Sequence, residues 1–119
     1  MPINKPHLEF HGLDMESGWA TPPGYPPGIQ QKILAGALDE AGKTGCRTRL
    51  LRFAPGAFTT EPFIHDYWEE VFLVTGDLIV GEESFNPMTY ACRPPGASHG
   101  PFRSVAGCIL YENHSYDPA

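Results

Sequence analysis

Thirteen prolines and thirteen glycines are spread through 119 residues, and this punctuation constrains the fold more than any other feature. Proline lacks a backbone N–H and fixes φ, while glycine weakens a helix, so long helices do not survive such spacing. Between the breaks lie short runs rich in β-branched and aromatic residues. That is the pattern of short strands joined by tight turns, and it predicts an all-β sandwich or barrel. The length suits one domain spanning 1–119, with room for a real core.

Residues 1–30 read as an extended arm, because the four prolines of TPPGYPPG (Thr21 to Gly28) exclude a helix there. The stretch IQQKILAGALDEAG is compatible with a short helix interrupted by Gly36, or with a strand at Gln31–Leu34 and a polar turn; the strand is favoured. Further strands are predicted at Arg47–Phe53, which ends in the turn Ala54-Pro55-Gly56, and at Phe63–Asp66, Glu70–Thr75, Leu78–Gly81, Thr89–Cys92 and Cys108–Glu112. Successive short strands of this kind suggest an antiparallel, jelly-roll-like barrel. In EEVFLV, Val71 and Leu73 fall on one face, and Phe72 and Val74 on the other. Apolar residues on both faces require a cover outside the barrel, from the arm or a second copy, and a homodimer is expected.

The net charge of −6, from 14 acidic and 8 basic residues, comes without any Lys/Arg cluster longer than a pair, which argues against nucleic acid and anionic membrane as partners. No apolar run approaches the roughly 20 residues of a membrane span. MPINKPHLEF lacks the apolar core of a secretory signal, and the three widely spaced cysteines Cys46, Cys92 and Cys108 form neither a disulfide framework nor a CxxC pair. A cytoplasmic protein is expected.

The chemistry concentrates in PFIHDYWEE, residues 62–70. Strand alternation puts Phe63, His65, Tyr67 and Glu69 on one face, with Asp66, Trp68 and Glu70 on the other. A buried, unpaired carboxylate is costly, and a cation resolves the cost. Downstream, RPPGASHG brings a third candidate, His99, after a Pro-Gly turn.

These residues resemble the two signatures of the cupin superfamily. His65, Glu69 and Gly76 fall where the first signature has its second histidine, its glutamate and its closing glycine; Pro94, Gly96 and His99 match the P-x-G-x2-H of the second. The runs RTRLLRFAPGA, EEVF, YACRPPGASHGPFRS and GCILYE are similar to the cupin domain of ChrR-type anti-sigma factors and to acetylacetone-dioxygenase-like proteins, over roughly residues 46–112. The resemblance implies a cupin jelly-roll barrel with a divalent metal on His65, Glu69 and His99. Two imidazoles and a carboxylate are the donor set of non-haem Fe(II) oxygenases, which favours Fe(II), with Zn(II) the runner-up. Phe63 departs from the pattern, standing where the first histidine belongs; Ala57, Met88 and Arg103 also replace motif residues. The loss at Phe63 leaves open a metal-free pocket with His and Glu paired, or a ligand shift that brings in Glu61 or Tyr67.

Further candidates surround this set. Tyr67 is a candidate catalytic donor to a substrate oxygen, or else a core aromatic. Arg52 anchors an anionic substrate if the even residues of RTRLLRF face inward, and is a surface charge otherwise. Met88 and Phe102 are expected near the pocket mouth, and Phe63 as an apolar wall suited to a planar, uncharged or aromatic small molecule. His7, His11 and His114 are expected to be exposed, without usable ligand spacing. The resemblance implies an Fe(II) dioxygenase acting on a small enolisable ketone, diketone or phenolic compound. The alternatives are a zinc-dependent lyase, isomerase or cyclase, and a non-catalytic ligand sensor. Sigma-factor regulation is not expected, because residues 1–45 lack a helical zinc-binding domain.

Overall fold

A computed structural model describes residues 4–117 of the chain. Among them are ten strands and no helix: β1 (Ile29–Asp39), β2 (Thr44–Phe53), β3 (Phe63–Ile64), β4 (Trp68–Gly76), β5 (Leu78–Val80), β6 (Glu83–Phe85), β7 (Thr89–Arg93), β8 (Ser98–His99), β9 (Phe102–Arg103) and β10 (Cys108–Ser115). The all-β jelly-roll expectation holds. A five-stranded sheet runs β1-β2-β10-β4-β7, a three-stranded sheet β6-β5-β9, and β3 pairs with β8. All pairings are antiparallel.

The last strand in sequence sits between β2 and β4, which ties the two ends of the barrel sequence into one sheet. Its register sets Leu110 opposite both Leu51 and Leu73. These three join Ile29, Phe53, Val71, Leu78 and Cys108 in the core. The odd residues of β2 therefore face inward, so Arg49 enters the interior and Arg52 does not.

Strands β1, β2, β4, β7 and β10 exceed their predicted ranges, while the predicted strand Phe63–Asp66 shortens to Phe63–Ile64; the extensions of β1 and β10 matter most. β1 continues five residues past Leu34, to Asp39, and Gly36 permits it. With φ of 77° it lies where a Cβ would meet the Cys46 carbonyl oxygen at 2.1 Å, so the residue that argued against a helix is also needed in the strand. β10 continues past Glu112 to Ser115, with its even residues buried from Cys108 to Tyr116. His114 is consequently 0% exposed, which corrects the expectation of a surface histidine.

On the outer face Leu50 and Thr48 are buried, Phe72 is half-buried and Val74 remains 41% exposed. The arm covers part of this side: Trp19 stacks on the Arg52 guanidinium, 3.9 Å from its ring centroid, and Ala20 pairs with Gln31. Arg52 also donates to Gln30 Oε1 at 2.7 Å.

Candidate metal centre and cavity

The inward face predicted for PFIHDYWEE is observed: Phe63 and His65 are half-buried, Tyr67 and Glu69 buried, and Ile64, Asp66, Trp68 and Glu70 exposed. β3 pairs Phe63 with His99 directly, bringing the second motif onto the first. One donor atom from each of His65, Glu69 and His99 then lies within 4.8 Å of the others.

Three observations fit this trio to a cation. The Nε2 atom of His65 is buried without any hydrogen-bond partner, and an orphaned buried polar atom is costly. Burial also pulls the His65 pKa down to about 4, against the attraction of Glu69, which keeps the ring neutral. The Nδ1 of His99 lies 3.3 Å from the Ala97 carbonyl, which can only accept. The proton is therefore on Nδ1, and the Nε2 lone pair faces Glu69 Oε1 at 3.4 Å. Burial lowers the His99 pKa as well. The partnerless His65 nitrogen, beside a His99 nitrogen and a Glu69 oxygen 3.4 Å apart, is a donor set that a bound cation would satisfy. A carbonyl fixing Nδ1–H is also the usual arrangement behind a metal-binding imidazole.

A row of polar side chains crosses four strands behind the trio. Arg47, His114, Glu69 and Arg93 are successive register partners on β2, β10, β4 and β7. Arg47 donates to His114 Nδ1 through Nη2 at 2.7 Å and Nε at 3.1 Å. Since a guanidinium only donates, His114 carries its proton on Nε2, which lies 2.9 Å from Glu69 Oε2 and 3.2 Å from Glu112 Oε1. Arg93 Nη1 donates to Glu69 Oε1 at 3.0 Å. One row further in, Arg49 grips Glu112 through Nε at 2.9 Å and Nη2 at 2.8 Å, and donates to Gln31 Oε1 and the Tyr25 hydroxyl. Burial opposes ionisation of Glu112, but Arg49 and the His114 hydrogen bond hold its carboxyl far below the usual carboxylate range.

Glu69, Glu112 and His114 also lie close enough to share an ion. They make a poorer metal site, because Arg47 holds the His114 proton on the nitrogen that faces both carboxylates. Hydrogen bonding already satisfies that group.

Beside the trio opens a cavity of about 200 Å³. Leu51, Phe53, Leu73, Phe85, Phe102 and Leu110 are among its apolar lining, and Glu69, Arg93, His99 and Glu112 bring charge and polarity to it. The cavity is dominated by carbon, with few polar groups, as small-molecule sites usually are.

The remaining predicted residues fall in different places. Phe102 lines the cavity. Phe63 stacks on Tyr25 at 4.8 Å and stands 6.0 Å from the His65 ring and 6.2 Å from that of His99; it packs beside the trio but is not itself in the cavity lining, where Tyr25 stands instead. Tyr67 is not in the cavity lining: it is sandwiched against His65 at 4.6 Å and His114 at 4.8 Å, which suits support of the two rings rather than donation to a substrate. Arg52 points to the outer face, and Met88 is 78% exposed at a turn with φ of 75°, away from the lining. Sequence reasoning missed Tyr25, Arg47, Arg93, Glu112 and His114. The alternation of Cys108, Leu110, Glu112, His114 and Tyr116, read two residues further, would have found two of them.

No curated protein matches the chain significantly. Among solved structures, an RmlC-like cupin from Shewanella frigidimarina superimposes with a TM-score of 0.66 at 16% identity, covering 97% of this chain and 96% of its own. An acetylacetone dioxygenase from Acinetobacter johnsonii gives 0.66 at 18%, covering 97% and 80%. The anti-sigma factor ChrR of Rhodobacter sphaeroides, in complex with SigE, gives 0.59 at 18%, covering 86% of this chain and 49% of that one. At such identities the likeness establishes the fold. Residues 15–116 match the ChrR Cupin-like domain, and the chain belongs to that cupin family.

Proposed function

We propose that this chain is a metal-dependent cupin enzyme, most specifically a non-haem Fe(II) dioxygenase acting on a small enolisable ketone or diketone. The observation that carries the reading is the buried, partnerless Nε2 of His65, in a trio that brings one donor atom each from His65, Glu69 and His99 within 4.8 Å of one another beside an apolar cavity. His65, His99 and Glu69 would hold the ion, a donor set that suits Fe(II) with open positions and also accommodates Zn(II). When bound, the ion supplies Lewis acidity for carbonyl oxygens and, as Fe(II), the electron chemistry that dioxygen requires.

The protein's own groups do the rest. His114 and Arg93 hold the two oxygens of Glu69. Tyr67 stacks against His65, and the Ala97 carbonyl orients His99. Phe63 and Tyr25 close the side where a fourth ligand would stand, and Phe102 and the aliphatic wall exclude water from the substrate. Acetylacetone, the substrate named for one structural neighbour, is a reasonable first probe for a cavity of this size.

The test is metal analysis of protein purified without chelator, with oxygen uptake followed on adding acetylacetone. Near-stoichiometric iron in the wild type, lost in both His65→Ala and His99→Ala, is the expected result. Equal metal in all three proteins defeats the site. Turnover that persists anaerobically with zinc moves the reading to a lyase or isomerase.

A further inference from the structure

The interior contains two carboxylates and, facing them, two guanidinium groups with unequal surroundings. Arg49 is saturated by Glu112, Gln31 and Tyr25, with its side chain 3% exposed. Arg93 is not. Among the described residues it makes one hydrogen bond, Nη1 to Glu69 Oε1 at 3.0 Å, with its side chain 20% exposed and its guanidinium 5.9 Å from the Phe102 ring centroid. It lines the apolar cavity, and most of its donor fork is uncommitted.

The charge balance depends on what neutralises Glu69. Glu112 is matched by Arg49, and Arg93 is the guanidinium that bonds Glu69. In the chain alone, Arg93 matches Glu69. A dication held by Glu69 offsets that carboxylate's charge, so Arg93, keeping its one bond to Oε1, presents an unbalanced charge and free donors to the carbon-walled cavity. A sparsely hydrated guanidinium with no counterion is unfavourable, and its planar fork is complementary to a carboxylate. The other carboxylate of the lining, Glu83, is solvent-exposed on β6, where water screens it.

We infer that Arg93 is the substrate-recognition group of this cavity, and that the ligand is a short oxo acid, a monoanion whose carboxylate pairs with Arg93 while its carbonyl approaches His65, Glu69 and His99. The inference rests on the metal reading above and narrows its substrate class. A cavity of about 200 Å³ suits a small molecule rather than a polymer. Arg52, the sequence candidate for this role, is excluded by its outward position.

The experiment compares acetoacetate with acetylacetone, which share the dicarbonyl spacing but differ in having a carboxylate or a methyl ketone at one end. Zinc-loaded wild type, Arg93→Gln and Arg93→Lys are titrated calorimetrically without oxygen, after metal content is measured. Compared at equal zinc content, Arg93→Gln is expected to weaken acetoacetate roughly tenfold to a hundredfold more than it weakens acetylacetone, as expected for loss of a charged hydrogen-bond pair. Arg93→Lys should fall between. Equal losses for both ligands, or no loss for acetoacetate, overturn the inference while leaving the metal centre intact. A wild type that takes up no zinc overturns the metal reading and this inference together, and the metal measurement distinguishes that case.

Discussion

His114 Nε2 lies 2.9 Å from Glu69 Oε2, on a ring that is fully buried and held from behind by Arg47. This contact helps make Glu69 a directed ligand: His114 takes Oε2, and Arg93 takes Oε1, the oxygen that also faces His99.

His114→Ala should therefore weaken divalent-metal binding, by about tenfold to a hundredfold on the scale of such supporting partners. His114→Gln, which can still donate to Oε2, should recover part of the loss. Arg47→Gln, at a half-buried position where folding is less at risk, should give a smaller change in the same direction. Competitive chelator titration with zinc measures all three, and unchanged affinity in His114→Ala would show that Glu69 needs no such support.

Phe63→His restores the motif residue whose place the phenylalanine takes. Phe63 is opposite His99 in the register and about 6 Å, centroid to centroid, from both candidate imidazoles. A fourth donor there should tighten metal binding about tenfold or more, a gain of about 1.4 kcal/mol, and weaken apolar ligands by removing the stack on Tyr25. The same titration checks it; unchanged metal affinity would mean the new ring cannot reach the site.

Breaking the Arg49–Glu112 pair is a test of stability. Both side chains are under 5% exposed, so Arg49→Met leaves a buried carboxylate without its main counterion and should cost about 3–5 kcal/mol in urea unfolding. The double variant Arg49→Met/Glu112→Leu should cost clearly less, since no charge is left stranded. If the double variant is as unstable as the single, shape and not charge dominates.

The cysteines should separate by reactivity. Cys92 is exposed, Cys46 half-buried and Cys108 buried, and burial, partly offset by a hydrogen bond from Ser104, pushes the Cys108 thiol up to about 11 from an ordinary 9.0. Alkylation followed by mass spectrometry should label Cys92 first and Cys108 only on unfolding. Because the folded thiol keeps its proton where the unfolded one loses it, Cys108 should lower stability as pH rises from about 9 to 11 and have no effect on pH dependence below that window. A flat stability profile across that range contradicts the assignment.

Much of the site could be read from short-range pattern. A strand repeats every two residues, and the placing of Phe63, His65, Tyr67 and Glu69 on one face and Asp66, Trp68 and Glu70 on the other follows that spacing, although residues 65–67 form a bend between β3 and β4. The β2 strand was legible too, but not which of its phases pointed inward. RTRLLRF has an arginine and apolar side chains on both, and only packing against Leu110 and Leu73 selects Arg49 over Arg52.

What the amino-acid order determined by itself was local: turns where proline and glycine leave no alternative, strands between them, and an inward histidine and glutamate four residues apart. Tertiary structure alone decided the row Arg47–His114–Glu69–Arg93, whose members come from four strands distant in sequence. Side-chain alternation is a property of the backbone repeat, whereas cross-strand register is set by which apolar faces pack together once the sheet closes. For that reason the candidate ligands were visible in the sequence, and the charged groups that orient them and face the cavity were not.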